Sequence, residues 1–397
     1  MTTSHTASLP PQRVADDLRG LGRLAVDGVT GVAGLVESMH AAVLHAPAWI
    51  GRPAPRKTRG VSRLVYRSVH GVARLVGHGV DRSLAGIAPL LGEARSTPRR
   101  EALRSAINGV LGDHLEASGN PLAIRMQLRR DGVPLPLSRR ALAARLPHAT
   151  GKVVVQVHGL CMNDLQWTAG GHDHGLALER DLARTAVQLH YNTGRPLAAN
   201  GREFARLLER LLKAWPVPVQ EVTLLCHSMG GLVTRNALDH AFARRLRWST
   251  LPIRAVFLGT PHHGAPLERA GRWAERLIGL SPYSAPFARL AKLRSAGIQD
   301  LRHGVLDDVG KPLPLPPAVR AYAIASTTLP QAAAEHEVHH LVGDGLVPVD
   351  SALGQHADPA LDLRIPRQRR WVAHGVNHFD LLSNAQVYER IARWLKR

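Results

Sequence analysis

Ser228 stands where the pattern of this chain changes. Before it, residues 222–226 (Val-Thr-Leu-Leu-Cys) form an apolar run of strand length, and from Leu232 onward the sequence reads as a helix. The intervening His227-Ser228-Met229-Gly230-Gly231 must turn sharply, with the serine at the apex. A hydroxyl on such a strand–turn–helix corner stands clear of the sheet. The N–H of the next residue, Met229, then faces any oxyanion that forms at the helix N-terminus. The chemistry on offer is nucleophilic attack by a serine on an acyl carbon. Small residues flank such a serine because a larger side chain would strike the neighbouring strand or helix. Position 226 departs from the Gly-x-Ser-x-Gly pattern, since Cys226 carries a Cβ. The competing reading is that Ser228 merely caps the following helix, so the other groups such a reaction needs must be sought elsewhere.

A second oxyanion donor is offered after residues 152–157, Lys-Val-Val-Val-Gln-Val, an apolar strand of the kind found in sheets covered on both faces. It runs into His158-Gly159-Leu160-Cys161-Met162-Asn163, where the glycine lets the backbone turn and point the Leu160 N–H into a site. An acid and a base lie further on. Asp344 is held between Gly343 and Gly345, in a turn suited to presenting a carboxylate to an imidazole. His378 precedes Phe-Asp-Leu-Leu at the onset of the last helix. Asp350 and His374 are the rival acid and base, although Asp350 lacks the glycine-flanked turn. His336, His339 and His340 with Glu335 and Glu337 invite a metal reading. No paired spacing among them falls on a clear helix, so solvated loop histidines are expected and no cofactor or metal is called for.

Strands and helices alternate around these groups. A leading hairpin is expected from residues 124–130 and 133–137, then strands at 186–191, 253–258 and 319–325. Helices are expected at 201–215, with Phe204, Leu207, Leu208, Leu211 and Leu212 on one side, and at 384–395. The strand at 253–258 leads into Gly259-Thr260-Pro261-His262-His263-Gly264-Ala265-Pro266. This alternation implies right-handed crossovers, a mostly parallel sheet, and a site outside the strand C-terminal ends. Residues 267–315 contain no convincing strand. They are expected to form a cap or lid with an apolar acyl pocket, the alternative being a surface excursion.

Bulk composition narrows the possibilities. The chain has 397 residues, 45% hydrophobic and 21% charged, so a sizeable core is expected and global disorder is not. Its formal net charge is +20, which favours anionic surfaces. The charge is spread out: residues 1–119 hold 15 basic and 9 acidic residues. The basic cluster Arg364, Arg367, Arg369 and Arg370 has no aromatic interleaving, so nucleic-acid binding is not expected. Two cysteines, Cys161 and Cys226, exclude a disulfide framework. With no signal-peptide pattern at the start and no apolar run of spanning length, a cytoplasmic or membrane-peripheral location is expected.

The first 119 residues form a separate helical region. Val14, Leu18, Leu21, Ala25, Val29, Val32, Val36, Met39 and Val43 mark one stripe of a long helix. A proline-containing linker follows, and the stripe returns at Val61, Val65, Val69, Val72, Val76, Val80 and Leu84. Residues 20–36 and 60–76 align with nine of 17 positions identical, an internal repeat of two similar helices. Thr97 and Pro98 supply the N-cap and first-turn proline of a third. A helical bundle, packed on the remainder or self-associating, is the plain expectation. Peripheral membrane contact through apolar faces accompanied by arginines is the sharper one. The sequence sets no oligomeric state.

Across residues 121–397 the chain resembles the α/β-hydrolase superfamily, and within it the lipase-like serine esterases, including the bacterial lipase and GPI-inositol-deacylase-like groups. The resemblance rests on Val-His-Gly-Leu (157–160), Cys-His-Ser-Met-Gly-Gly (226–231), Gly-Thr-Pro-His-His-Gly-Ala-Pro (259–266), Gly-Asp-Gly-Leu-Val-Pro (343–348) and Val-Asn-His-Phe (376–379). It implies an α/β-hydrolase fold over residues 120–397, with Ser228 as nucleophile, Asp344 as orienting acid and His378 as base, in that fold's chain order. It also implies an oxyanion hole from Leu160 and Met229, supported by His158, Gly159, His227 and Gly230. The expected reaction is hydrolysis of a lipid or other apolar acyl ester. The alternatives are acyl transfer by the same triad, or a lipid- or polymer-surface binding protein working through its N-terminal helices.

Overall fold

The computed structural model describes residues 11–45, 60–91, 93–264, 295–301, 312–330 and 343–396. Two compact units are present. One comprises Pro11–Ser96 with Ala117–Leu122, and the other Thr97–Glu116 with Ala123–Arg397. The helical region, expected to run to residue 119, therefore gives up its third helix to the unit that holds the sheet.

In the smaller unit, strand β1 (Pro11–Arg13) leads into helix α1 (Val14–His45). Helix α2 (Gly60–Leu91) returns to strand β2 (Glu93–Arg95), which pairs antiparallel with β1. The two helices are antiparallel. Asp81 of α2 accepts from Arg19 Nε and Arg23 Nε, each at 3.0 Å, and a Cβ on Gly77 would lie 2.6 Å from the Val26 side chain. The Arg23 and Arg19 guanidiniums hold the Asp81 carboxyl well below the usual carboxylate range. On α2 the partly covered residues Ser62, Tyr66, His70, Ala73, Gly77, Asp81 and Leu84 fall at heptad spacing. The valine stripe read from the sequence is not this seam. Val65, Val69, Val72, Val76 and Val80 are exposed, as are Leu18, Leu21 and Val29 of α1.

The larger unit contains α3 (Pro98–Ala117, all but its last residue), β3 (Gln127–Arg130), β4 (Val133–Pro134), α4 (Arg139–Arg145) and β5 (Lys152–Val157). It continues with α5 (His174–Leu182), β6 (Thr185–His190), α6 (Leu197–Lys213), β7 (Glu221–His227), α7 (Met229–Ala243) and β8 (Ile253–Leu258). Then come α8 (Ala296–Asp300), β9 (Val319–Thr327), α9 (Val349–Ala352), β10 (Arg370–His374) and α10 (Ala385–Leu395). The sheet order is β10-β9-β8-β7-β5-β6-β3-β4. From β10 to β6 all neighbours are parallel, and β3 pairs antiparallel with both β6 and β4. Alternate β5 residues enter two apolar layers: Val153, Val155 and Val157 pack with the Phe204 and Leu208 side of α6, while Val154 packs with Trp167, Leu178 and Leu381. The polar Gln156 of that strand is buried but satisfied, donating to Asp173 (3.0 Å) and accepting from Gln188 (2.9 Å).

The strand order reverses at β5, because β6 lies on one side of it and β7 on the other. Register places Val157 opposite Cys226, and His227 opposite Leu258. The loops after β5, β7 and β8 therefore leave one rim of the sheet at its switch point, the usual place for a site in such folds.

Helix α3 starts as its sequence predicts, with Thr97 Oγ1 accepting from Arg100 N at 3.2 Å. Its place in the larger unit follows from its partners. Gly112 O accepts from Asn192 Nδ2 (2.8 Å), Gly109 O accepts from Ser295 Oγ (2.7 Å), and Asn108 Oδ1 accepts from Ile124 N (2.9 Å). Glu101 reaches buried Arg129 at 3.4 Å, and Arg129 in turn reaches Asp164 at 3.2 Å. Such contacts depend on which distant loops meet the helix, and no periodicity within the helix announces them.

Most of the expected cap at 267–315 lies outside the described residues, as do His336, His339, His340, Glu335 and Glu337. The described Ser295 and α8 pack within the larger unit: Gly297 N donates to Gly194 O (3.0 Å), and Asp300 Oδ2 accepts from Leu197 N (2.8 Å).

Candidate active site

Ser228 joins β7 to α7 with φ 53° and ψ −128°, a conformation that L-residues seldom adopt and that costs ~1–3 kcal/mol. The surroundings over-determine it. Ser228 N donates to Leu258 O (2.9 Å) and its carbonyl accepts from Gly231 N (3.0 Å). A Cβ on Gly230 would lie 2.6 Å from His158 O, so a larger residue there would push α7 off β5. Cys226, the departure from the motif, fits between strand and helix and donates through Sγ to Thr234 Oγ1 (3.1 Å). Burial raises its thiol to about 12, so it stays protonated. Its neighbour on the pleat, His227, donates from Nε2 to the His378 carbonyl (3.0 Å), and burial lowers its imidazole to about 3, keeping it neutral. Arg235, two turns along α7, is buried and donates to the carbonyls of His262 (3.1 Å) and Leu313, which ties down the loop after β8.

The loop after β5 is a tight turn closed by Met162 N to Gly159 O at 3.3 Å, with Leu160 and Cys161 at its centre. Cys161 has φ 59°, and its N–H donates to Thr193 Oγ1 (3.1 Å). Gly159 must be small: a Cβ there would lie 3.0 Å from Ser228 Cβ and 3.3 Å from His227 Nδ1. From the other side α3 closes on the turn. A Cβ on Gly109 would collide with Cys161 Sγ and lie 3.0 Å from its Cα. His158 stacks on Tyr191 (ring centroids 4.5 Å apart), whose hydroxyl donates to His158 O (2.8 Å). Burial lowers the His158 imidazole to about 3. Met229 opens α7, and the first N–H groups of a helix have no intrahelical acceptor.

Asp344 and His378, 34 residues apart in sequence, are hydrogen-bonded: His378 Nδ1 to Asp344 Oδ2 is 2.7 Å. The other carboxylate oxygen accepts from Leu346 N (3.0 Å) and Val347 N (2.8 Å). Burial works to raise the Asp344 carboxyl, but the charge and hydrogen bond of His378 and the two N–H groups outweigh it, leaving the carboxyl below its ordinary range. The imidazole rests on Gly259 (φ 55°), where a Cβ would lie 3.1 Å from both Nδ1 and Cε1 of His378. Ser228 and His378 are both buried, and neither Ser228 Oγ nor His378 Nε2 has a hydrogen-bond partner among the described residues.

The fold is an α/β-hydrolase fold. No family model matches the sequence, and no curated protein matches it. Solved structures similar to it include the mature Bacillus licheniformis lipase BlEst2, at 17% identity over 62% of this chain and 91% of that one, TM-score 0.43. Others are the Pyrococcus furiosus esterase Pf2001 (13%, 63% and 83%, TM-score 0.40) and the NocB thioesterase domain (16%, 63% and 96%, TM-score 0.36). At such values the likeness carries no argument about the reaction, and the reading of the site rests on its own geometry.

The turn after β5, the corner at Ser228, Asp344 and His378 all lie in motifs visible in the sequence. His227 and Gly259 enter the sequence reading only as members of motifs, and Tyr191, Thr193 and Gly109 do not enter it as site residues. Gly259 had a signal, because it opens the Gly-Thr-Pro loop. The others become visible only when β6 and α3 are folded against the turn after β5. Of the rival residues, Asp350 lies in α9 and His374 ends β10, while Asp344 holds His378.

Proposed function

We propose that this protein is a serine hydrolase that cleaves carboxylic esters of apolar acyl groups, lipids among them, through an acyl-enzyme on Ser228. The observation that carries the reading is the 2.7 Å bond between His378 Nδ1 and Asp344, set beside the strained Ser228. That bond keeps a proton on Nδ1 and leaves the Nε2 lone pair to act as base.

His378 Nε2 takes the Ser228 proton as Oγ attacks the ester carbonyl. The N–H groups of Leu160 and Met229 receive the oxyanion. Collapse of the tetrahedral species breaks the bond to the leaving oxygen, which takes the proton from His378. Water then attacks the acyl-enzyme, giving one proton to His378 and releasing the acid as Ser228 recovers its own. Catalytic hydrogen bonds of this kind often form fully only with substrate bound, and Ser228 Oγ and His378 Nε2 have no hydrogen-bond partner among the described residues. His227, through the His378 carbonyl, and Gly259, beneath the ring, hold the base in position.

Replacing Ser228 with Ala should lower p-nitrophenyl ester turnover by roughly 10⁴-fold or more and abolish fluorophosphonate labelling, with thermal unfolding unchanged. Asp344→Asn should lower turnover by about 10³- to 10⁴-fold by misplacing the imidazole proton. Labelling that survives Ser228→Ala would sink the assignment. Acceptor alcohols or thiols added to the assay separate hydrolysis from acyl transfer through their products.

A further inference from the structure

We propose that the α1–α2 hairpin docks the protein onto a lipid surface, anionic headgroups favoured, through the one face on which both apolar stripes lie. The geometry follows from the repeat. In α2 the stripe residues Val69, Val72, Val76 and Val80 each precede a residue of the partly covered seam, so they lie about 100° around the axis from it. In α1, Leu18, Ala25 and Val29 precede Arg19, Val26 and Thr30 in the same way. Two antiparallel helices that share this offset turn their stripes to the same side of the pair. A shared apolar groove results, lined by Ala25, Val26 and Val29 from one helix and Val69, Val72 and Val76 from the other. Exposed Leu64 and Leu75 extend the apolar surface of α2 beyond the groove onto its flank.

The flank of this face indicates what covers it. Leu75 and Leu64, 74% and 65% exposed, lie on the side of α2 turned away from α1. A second hairpin stacked on the groove would leave both leucines in water. A lipid interface surrounds the flank as well as the face, because the helices sink into it. The charges agree. Arg82 shares the leucine flank, seven residues beyond Leu75, and Arg63, Arg67 and Arg74 are exposed on the polar side. The acid of α2, Asp81, is held in the seam by Arg19 and Arg23. The exposed charge that borders the apolar surface of α2, Arg82, is therefore positive, which complements anionic headgroups. No helix among the described residues is long and apolar enough to cross a membrane.

The docking face is independent of the chemistry at Ser228, so the test uses the full chain carrying Ser228→Ala, which leaves vesicle lipid unhydrolysed if the serine reading holds. Cosedimentation with phosphatidylcholine vesicles containing phosphatidylglycerol should show binding that is weaker on pure phosphatidylcholine and reduced, but not abolished, by high salt. Val72→Asp with Val76→Asp should weaken binding at least tenfold. Leu64→Gln with Leu75→Gln, which leaves the groove intact, should weaken it several-fold while helicity and the melting temperature hold. A chain that fails to sediment with anionic vesicles overturns the proposal. So does a light-scattering dimer that Val72→Asp/Val76→Asp dissociates while vesicle binding is unaffected.

Discussion

Helices α6 and α2 carry the same kind of sequence signal and meet opposite fates. In α6, Phe204, Leu207, Leu208 and Leu211 repeat at helical spacing and are all buried against the sheet. In α2, Val65, Val69, Val72, Val76 and Val80 repeat just as regularly and are all exposed. Periodicity states which residues share a face of a helix. It does not state what that face meets. The strands beneath α6 offer an apolar wall of Val153, Val155, Leu224 and their neighbours. Helix α2 meets α1, and small or polar residues make that seam: Ala73, Gly77 and Asp81 allow close approach and ion pairing, which turns the valines outward.

Acid separates the two regions most strongly. Burial lowers His158 and His227 to about 3, His174 to about 4, and His262 well below its ordinary value, all in the larger unit. An unfolded chain binds protons at these histidines near pH 6.5, so between there and about pH 3 it holds more protons than the folded one and stability falls as pH falls. In the hairpin, Asp81 is depressed by Arg23 and Arg19; its contribution is present above about pH 4 and is lost only as the pH drops below that. Fluorescence of buried Trp167, Trp215 and Trp248 should therefore report unfolding at a higher pH than the loss of the remaining far-ultraviolet helix signal. Coincident transitions would erase the distinction.

A matched pair of truncations tests the contrast directly. Leu208→Ala should cost about 2–5 kcal/mol by urea unfolding, because the cavity lies between α6 and the sheet. Val72→Ala should stay within about 0.5 kcal/mol. A large loss at Val72 would mean that its stripe supports the fold after all. The packing of α3 within the larger unit is probed by Gly109→Ala. The added methyl meets Cys161 beside Leu160, so about 1–3 kcal/mol of stability and part of kcat, with little change in KM, should be lost. Removing the opposing sulfur with Cys161→Ala should restore part of both. No effect on turnover would detach α3 from the chemistry proposed for the loop after β5.

The site was more legible than its surroundings for a local reason. A serine corner, a His-Gly turn after a buried strand and a glycine-flanked aspartate each encode their geometry within a few residues. The strand at 152–157 and the helix ending at Leu395 stand where the pattern puts them, and Asn384 caps that helix by accepting from Gln386 and Val387. The pairing of Asp344 with His378 over Asp350 and His374 could be preferred on turn chemistry, but only the 2.7 Å contact distinguishes them. Strand β10 went unrecognised because Arg370-Trp-Val-Ala-His374 is partly exposed at the sheet edge and lacks the continuous apolar run of the inner strands. The valine stripes and α3 were the least legible, since both depend on partners distant in sequence.

The sequence alone determined the sharp corner at Ser228, the chain order of Ser228, Asp344 and His378, the alternating strands and helices, and the two repeated helices. These rest on short-range sterics and periodicity, which a few neighbouring residues fix. Only the tertiary structure decided which aspartate meets the imidazole, which glycines make room for it, that α3 closes on the turn after β5, and that the valines of α2 face outward. Those outcomes depend on shape and charge brought together from far along the chain, and no local pattern carries that information.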